Sequence, residues 1–382
     1  MEDAAAIISQ AVEGVKSKIS LDYMRKCQRE GLFPYALWDA CAEQGLLALG
    51  VPEALGGLGG GLREQCLLLE TLNREGIGLQ AIVILAMDRS TLLKHGTEDQ
   101  IQRFVVPTLD GSMKLCFAIT EPNAGTNAFK MTTLATRQDD GSYRLNGQKT
   151  WISNFKESDY CLIVARTTPF KDVADRREGI SMFMLDTKAA GITAQPLQLG
   201  TNQASQQYTL FFDDVVIPAE NLIGEEGKGL KCLFHALNPE RLSVASMSIG
   251  LGELVLRKGV EYAKIRAPFD APIGSYQGVQ HPLAYAKAHL EAARLMRDKG
   301  VDLYDAGRNC APEANMAKLL ASDAGFEAVN AAMQAFGGSS MAWENDLIAY
   351  FTPLRLNQIA PINNQMMLNY IGEHVLGLPK SY

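Results

Sequence analysis

The sequence predicts an α+β protein in which one compact β domain separates two α-helical domains. Apolar residues recur every three or four positions near both ends of the chain, as amphipathic helices require. The middle of the chain instead carries short β-branched and aromatic runs separated by turn signals. We therefore predict a helical domain over residues 1–113, a mainly antiparallel β domain over 114–218 and a helical domain over 219–382.

The composition is that of an ordinary globular protein, and it excludes several functional classes. The 382 residues are 47% hydrophobic and 21% charged, and a net charge of −7 without a basic stripe makes nucleic acid an unexpected partner. No apolar run is long enough to cross a bilayer, so no membrane association is expected. The chain opens with an acidic segment rather than a targeting pattern, which predicts a cytoplasmic location, or the mitochondrial matrix for a eukaryotic protein.

Cysteine and histidine usage gives no sign of disulfides or of a metal site. Seven cysteines are scattered without a CxxC spacing, which is typical of free thiols in a reducing compartment. Five histidines show no paired-ligand spacing, so no metal is predicted.

The individual elements follow from local pattern. In the first domain, helical spacing is clear around residues 36–41 and 67–72, whereas the glycine-rich stretch 52–61 is preceded by no strand and predicts a flexible turn rather than a nucleotide loop. Asn146-Gly147 is interpreted as a hairpin turn. Strands are predicted over 143–145, 149–152, 160–164, 181–185 and 208–212, and C-terminal helices over 229–263, 280–306, 312–336 and 358–376.

Two stretches of the middle domain suggest a site for a flat ring and a phosphate. An apolar strand beginning at Phe117 leads into a turn that carries hydroxyls and free backbone N–H groups, ending at Thr126. About 25 residues later, Trp151 and Ser153 alternate at the end of a strand, so a ring could stack on one and hydrogen-bond to the other. The first stretch alone is equally compatible with a plain strand and turn, but the two together are specific.

With these motifs the sequence resembles the acyl-CoA dehydrogenase family over nearly its whole length. Further matching stretches are Phe212-Asp213-Asp214-Val215-Val216-Ile217-Pro218, Gly227-Lys228-Gly229, Arg266-Ala267-Pro268-Phe269 and Gln334-Ala335-Phe336-Gly337-Gly338. The resemblance implies the same order of helical, β and helical domains, and an FAD cofactor bound between the β domain and the C-terminal helices.

The resemblance also implies which residues bind FAD. Thr120, Trp151 and Ser153 would contact the isoalloxazine ring, and the stretch 117–126 would lie along the flavin and the nearby diphosphate. The expected own-chain contacts are Phe117, Ile119, Thr120, Gly125, Thr126, Trp151, Ile152 and Ser153. A second set would reach the FAD of a neighbouring subunit, which implies a homo-oligomer, usually a tetramer built from dimers; it comprises Arg266, Phe269, Gln277, Gln334, Gly337 and Gly338. These amides and this arginine could also be ordinary surface groups.

The family reaction, as the resemblance implies it, needs a carboxylate base beside the α-carbon of an acyl-CoA thioester while hydride leaves the β-carbon for the flavin. Most members carry this base as a glutamate near the C-terminus, but here Asn364 occupies that position and no carboxylate occurs between Arg355 and Gly372. An amide is no base at neutral pH, although the backbone N–H of Asn364 could donate to the thioester oxygen.

Glu240 is the predicted base. Family members for long-chain and certain branched substrates carry it on an earlier helix, directly before an arginine, as Glu240 precedes Arg241 here. Arg241, Asn238 and Thr126 would then make polar contacts with the CoA part of the substrate. A simpler interpretation is that Glu240 complements the dipole at a helix start beside a solvated arginine.

These features predict an FAD-dependent dehydrogenase that forms a trans-2-enoyl-CoA and passes electrons to an electron-transferring flavoprotein. Three alternatives stay open: an oxidase, a desulfinase-like enzyme that needs no strong base, and a non-catalytic acyl-CoA or FAD-binding protein. Departures from the family pattern at Asp270, Gln365 and Met366 predict a divergent branch with its own acyl pocket.

Overall fold

The computed structural model describes residues 2–200 and 203–380 and confirms the predicted α+β class. The N-terminal part is helical because its apolar residues form one face of each helix and pack into a shared core. Side-chain caps define several ends: Ser20 Oγ accepts the N–H of Tyr23, and Thr97 and Gln100 form a capping box. The helices are α1 (Glu2–Lys16), α2 (Leu21–Glu30), α3 (Tyr35–Glu43), α4 (Leu62–Arg74), α5 (Gln80–His95) and α6 (Glu98–Phe104).

The middle part forms one eight-stranded sheet whose strand order is β6-β7-β3-β2-β4-β5-β8, with β1 pairing in parallel with β4. Most neighbouring strands are antiparallel, as predicted, and the short last strand lies beyond residue 218. The strands are β1 (Leu115–Ala118), β2 (Leu134–Arg137), β3 (Tyr143–Ser153), β4 (Tyr160–Arg166), β5 (Ile180–Asp186), β6 (Ile192–Pro196), β7 (Gln207–Ile217) and β8 (Leu222–Ile223).

The predicted turn at Asn146-Gly147 is wrong. Both residues lie inside β3, which joins the two strands expected over 143–145 and 149–152 into one. Gly147 has a φ of 141°, and a Cβ there would lie 2.7 Å from the Thr133 Cα. The glycine therefore allows a bulge and a close approach of β2 rather than a hairpin turn.

The C-terminal part consists of α7 (Gly229–Ile265), α8 (Gln277–Asp305), α9 (Ala311–Phe336), α10 (Leu347–Asn357) and α11 (Asn364–Tyr370). The helix predicted over 358–376 is wrong in extent. Pro361 lacks an N–H and disfavours a helical residue before it, so the chain runs as a loop until Asn363 caps α11 with its side chain. A π-helical turn, Ile371–Val375, follows α11. Helix α10 has no counterpart among the predicted elements.

One apolar cluster contains residues from the N-terminal, middle and C-terminal parts of the chain. Leu230 and Leu233 of α7 pack in the same apolar cluster as Val83 of α5 and Ile180 of β5. Helix α7 thus contacts both α5 and β5, and α5 also contacts β1. All seven cysteines are buried and unpaired, and none of the described helices is both long and apolar enough to span a membrane.

Candidate active site

Glu240 lies in the interior of α7, about three turns after its first residue, Gly229. The helix dipole acts mainly on the first turn, so it does not account for a carboxylate at this position. Pro239 precedes Glu240 without ending the helix. The acid is half-buried and lines cavities inside the protein from the interior of this helix.

Arg241 does not neutralise this carboxylate. Neighbouring helical residues point about 100° apart, and the Arg241 guanidinium donates through Nη1 to Asn238 Oδ1 at 2.8 Å. Within residues 2–200 and 203–380, Glu240 forms no hydrogen bond or ion pair with Arg241. Burial raises the pKa of Glu240 to about 7, and the charge of Arg241 opposes the rise only in part.

Glu240 forms part of the wall of a cavity of about 150 Å³, which we call the acyl-side cavity. Its walls come from α5, α7, α10, the loop at residues 360–361 and the segment 203–205. Most lining side chains near Glu240 are apolar, including Val83, Val244 and Met247. The cavity thus combines a poised acid with an apolar surface.

The end of β3 approaches this cavity through residues 205–207. Ser205 lines the cavity and donates to Asn154 Oδ1 at 3.0 Å, and Gln207 Nε2 donates to Ser153 Oγ at 2.7 Å. Ser153 is thus held by the segment that includes Ser205, a residue of the cavity wall.

Trp151 is presented to solvent by an unusual backbone conformation. It has a φ of 62° at an irregularity in the β3–β7 pairing, and its side chain is 55% exposed, whereas Ile152 is buried. A left-handed tryptophan is strained, and such strain persists mainly where function requires it. The strand end therefore offers a bare indole ring beside Ser153.

A buried ion pair that the sequence analysis missed supports this region. Lys149 Nζ donates to Glu121 Oε1 at 2.8 Å and to the Ile119 carbonyl at 2.9 Å, and both charged side chains are buried. Glu121 also accepts the backbone N–H groups of Thr132 and Thr133. The signal in the sequence was a lone charge within each of the two apolar motifs.

The turn after β1 is open to solvent. Gly125 and Thr126 are exposed, and a Cβ at Gly125 would meet no atom within 4 Å. Phe117, Ile119 and Thr120 are half-buried, and the Thr120 carbonyl accepts the N–H of Thr150 at 2.9 Å. Thr126 Oγ1 accepts a hydrogen bond from Asn363 Nδ2 at 3.2 Å, which links the turn to α11.

Asn364 has no donor left for a substrate. Its backbone N–H donates to the Gln358 carbonyl, and its side-chain amide donates to Ser322 Oγ and Asp323 Oδ1. Its Oδ1 accepts from the buried Lys318 at 2.8 Å. These bonds favour a structural role for Asn364, and the expected contact of its backbone N–H with the thioester oxygen is not available in this structure.

Comparison with known proteins identifies the chain. It matches the acyl-CoA dehydrogenase N-terminal domain over residues 1–112, the middle domain over 116–215 and the C-terminal domain over 227–376. It is 38% identical over 349 residues to acyl-CoA dehydrogenase FadE12 of Mycobacterium tuberculosis, covering 91% of this chain and 89% of that protein.

The chain belongs to the acyl-CoA dehydrogenase family. Another relative is the CarC subunit of the caffeyl-CoA reductase–Etf complex of Acetobacterium woodii, 33% identical over 85% of each chain. The solved structure of butyryl-CoA dehydrogenase from Megasphaera elsdenii superposes with a TM-score of 0.90 at 30% identity, covering 98% of this chain and 97% of that one. The protein is accordingly an FAD-dependent oxidoreductase.

The described residues fit the FAD that an acyl-CoA dehydrogenase requires. The exposed Trp151 ring, the Ser153 hydroxyl and the open backbone at Gly125 form a surface that could hold a flat ring and an anionic chain. The members of the second expected set all lie exposed on the C-terminal domain, with Phe269 79% exposed. The Arg266 guanidinium has no hydrogen-bond or ion-pair partner in the described part of the chain, and Gly337 and Gly338 have open space where a Cβ would stand.

Proposed function

We propose that this acyl-CoA dehydrogenase removes the α-proton of an acyl-CoA with Glu240 and passes the electrons to an electron-transferring flavoprotein. The observation that carries the proposal is Glu240 itself. It is half-buried, has no hydrogen-bond or ion-pair partner within the described residues, and lines a cavity between α5, α7, α10 and the segment 203–205. A base with a pKa near 7 is matched to proton transfer at neutral pH.

The other residues of this chain act on binding and orientation. Arg241 is half-buried, and its buried Nε has no hydrogen-bond partner among the described residues, so it can donate to an oxygen of the CoA thioester or pantetheine. Asn238 orients this guanidinium. Thr120, Trp151, Ser153 and the turn to Thr126 hold FAD, which supplies the acceptor for the hydride that leaves the β-carbon.

Arg266, Phe269, Gln277, Gln334, Gly337 and Gly338 are proposed to complete the FAD site of a neighbouring subunit. Their shared exposure supports this role, as does the lack of any hydrogen bond or ion pair from the side chains of Arg266, Gln277 and Gln334 within the described residues. The enzyme is then an obligate homo-oligomer.

A short acyl group fits the acyl-side cavity best. Since a water occupies roughly 30 Å³ of liquid, a cavity of about 150 Å³ holds roughly five or more water-sized groups. The butyryl-CoA dehydrogenase structure and the caffeyl-CoA reductase–Etf relative agree with a short acyl-CoA and with a flavoprotein acceptor, respectively. A base on α7 also leaves room for a branch at the α-carbon.

Anaerobic titration of the FAD-loaded protein tests the proposal. Wild type, Glu240→Gln and Glu261→Gln are mixed with butyryl-, isobutyryl-, isovaleryl- and octanoyl-CoA, and flavin bleaching is followed. Glu261 is a matched control because it is an exposed glutamate of the same helix. We expect at least one acyl-CoA to bleach wild type and the control, and Glu240→Gln to be slower by about a hundredfold or more.

Other outcomes separate the alternatives. Equal bleaching in Glu240→Gln would place the base elsewhere. Turnover in air without an added acceptor would indicate an oxidase. Acyl-CoA binding without bleaching in any variant would indicate a non-catalytic protein.

A further inference from the structure

Glu240 also forms part of the wall of a second cavity, on another side from the acyl-side cavity. This rear cavity, of about 270 Å³, lies between α5, α7, the end of α8 and the glycine-rich loop before α4. Its polar lining includes Gln65, Ser90, His235, Ser243, Tyr304 and Asp305. None of these side chains has a role in the proposed reaction.

The rear cavity extends from the base to the surface of the protein. Glu240 forms its inner wall, whereas Gly60 and Lys94, which are exposed, line it as well. A cavity of this size and polarity has room for several waters, each with hydroxyl, amide or carboxylate partners. It therefore offers a hydrated connection between an enclosed carboxylate and solvent.

Two glycines, Gly50 and Gly61, allow the backbone before α4 to pack closely against the polar side chains of Gln65 and Asp305 in the cavity wall. A Cβ at Gly50 would lie 1.6 Å from Gln65 Nε2, and one at Gly61 would lie 2.7 Å from Asp305 Oδ1. Asp305 accepts the N–H groups of Leu62 and Arg63 at the start of α4. Glycines are needed at these two positions so that the loop can approach Gln65 and Asp305.

The side chains along the cavity can exchange protons. His235 lies on α7 five residues before Glu240, and burial lowers its pKa, so its imidazole is neutral near pH 7, with one ring nitrogen as hydrogen-bond donor and the other as acceptor. The Ser90 hydroxyl on α5 and the Tyr304 phenol on α8 both line the cavity. Hydroxyl and imidazole groups thus line the cavity, and each can donate a hydrogen bond to water or accept one from it.

We propose that the rear cavity is the route by which the substrate's α-proton leaves Glu240 for solvent. The inference rests on the proposed role of Glu240. In each turnover the α-C–H bond breaks, its proton bonds to a Glu240 carboxylate oxygen, and its electron pair forms the new double bond as hydride leaves the β-carbon. The proton then passes to cavity water and to bulk solvent, which restores the carboxylate.

The acyl-side cavity cannot serve this purpose while substrate is bound. The acyl group would fill its volume of about 150 Å³ and exclude water from that side of Glu240. The rear cavity has no such occupant. Exchange of the Glu240 proton with solvent before product release therefore requires the rear route.

Deuterium exchange tests this route in the complete FAD-loaded enzyme. Of the four acyl-CoAs named above, we use the one that bleaches the flavin fastest. It is incubated anaerobically with enzyme in D₂O, and deuterium at its α-carbon is measured by mass spectrometry. The same enzyme is followed in parallel for the single-turnover rate of flavin bleaching. Ser90→Leu fills the cavity, His235→Phe removes its imidazole, and Phe234→Leu, an exposed neighbour outside the cavity, is the control.

We expect Ser90→Leu and His235→Phe to slow deuterium incorporation by about tenfold or more while bleaching stays within about twofold of wild type. Two variants at separate walls guard against misfolding of one of them. Unchanged incorporation in both, or an equal loss of incorporation and bleaching, would overturn the route. A failure of every acyl-CoA to bleach wild type would instead contradict the proposed function, and the route with it.

Discussion

Glu240 acts as a base only in its ionised form, so its protonation should govern the pH dependence of the reaction. The groups that set its pKa, which is about 7, are the enclosing protein and, in opposition, Arg241. We expect the rate of flavin bleaching to rise about tenfold per pH unit below pH 7 and to level off above it. Stopped-flow measurements between pH 5.5 and 8.5 check this. A flat profile, or one that falls with pH, would contradict the assignment, and Glu240→Gln should lose the dependence.

Asp88 is a second acid whose protonation has consequences, in this case for stability. It is fully buried on α5, and neither carboxylate oxygen has a hydrogen-bond partner within the described residues. Burial raises the pKa of Asp88 well above its usual value, with smaller contributions from Cys116 and Glu240. The folded protein therefore holds a proton that the unfolded chain releases.

The sign of the effect follows from this difference in proton binding. The contribution of Asp88 to the free energy of unfolding is greatest below its unfolded pKa near 4, and it falls as pH rises toward the folded pKa. Asp88→Asn removes the titration, so its melting temperature should gain on that of wild type between pH 5 and pH 8. Asp213→Asn, an exposed substitution, should show no such trend. A constant difference between Asp88→Asn and wild type across this range would show that Asp88 does not titrate with folding.

At the scale of elements, the Lys149–Glu121 pair holds β3 against β1 and the turn that follows it. Removing one member leaves the other charge buried and unpaired, which typically costs about 3–5 kcal/mol. We expect Lys149→Met to lower the free energy of unfolding by about that amount and to weaken FAD binding, because the Ile119 carbonyl also loses its donor. Urea denaturation and flavin titration measure the two effects.

Lys188→Met provides the comparison. Lys188 is exposed and stands 3.6 Å from Asp159, and surface pairs of this kind contribute about 0–1 kcal/mol. If both variants unfold at the same urea concentration, the buried pair has no special structural role.

Elements with a strong periodic pattern were predictable, and those that depend on distant partners were not. Helices α7, α8 and α9 follow the predicted ranges closely because their apolar residues repeat over many turns. The break before α11 was missed because the apolar spacing of residues 358–376 was given more weight than Pro361; the loop is further fixed by hydrogen bonds such as that from Lys318 to the Ile362 carbonyl. Nothing local marks Lys318 as buried.

The same distinction holds for the site. The proposed base was found because Asn364 stands where most family members carry a glutamate, while Glu240 stands at the alternative position before an arginine. The occupied hydrogen bonds of Asn364, the strain at Trp151 and the rear cavity depend on contacts between residues far apart in the chain, and no spacing rule reveals them.

At the scale of the whole molecule, the proposed sharing of FAD sites predicts complementation between two defective chains. Arg266→Ala damages the set offered to a neighbour, and Thr120→Arg blocks a chain's own flavin surface. A mixed dimer of the two has one site built from intact halves, so we expect mixed oligomers to recover activity and flavin absorbance that each homo-oligomer lacks. Co-purification with two affinity tags isolates the mixed species.

The controls for complementation are the two homo-oligomers and a mixture of Arg266→Ala with Gln334→Ala. The last pair damages the same set in both chains and should not recover. If mixing Arg266→Ala with Thr120→Arg also fails to restore flavin, each chain binds FAD without help from its neighbour.

The burial of all seven cysteines has a consequence for handling the enzyme outside the cell. No cysteine lies at the surface, and burial raises the pKa of thiols such as Cys41 and Cys66, so the nucleophilic thiolate form is scarce. Alkylating agents and mild oxidants can reach these thiols only when the chain unfolds locally or globally. The rate of cysteine oxidation in air is thus limited by the frequency of unfolding. A cysteine engineered onto the surface would be the preferred attachment point for a dye or an electrode.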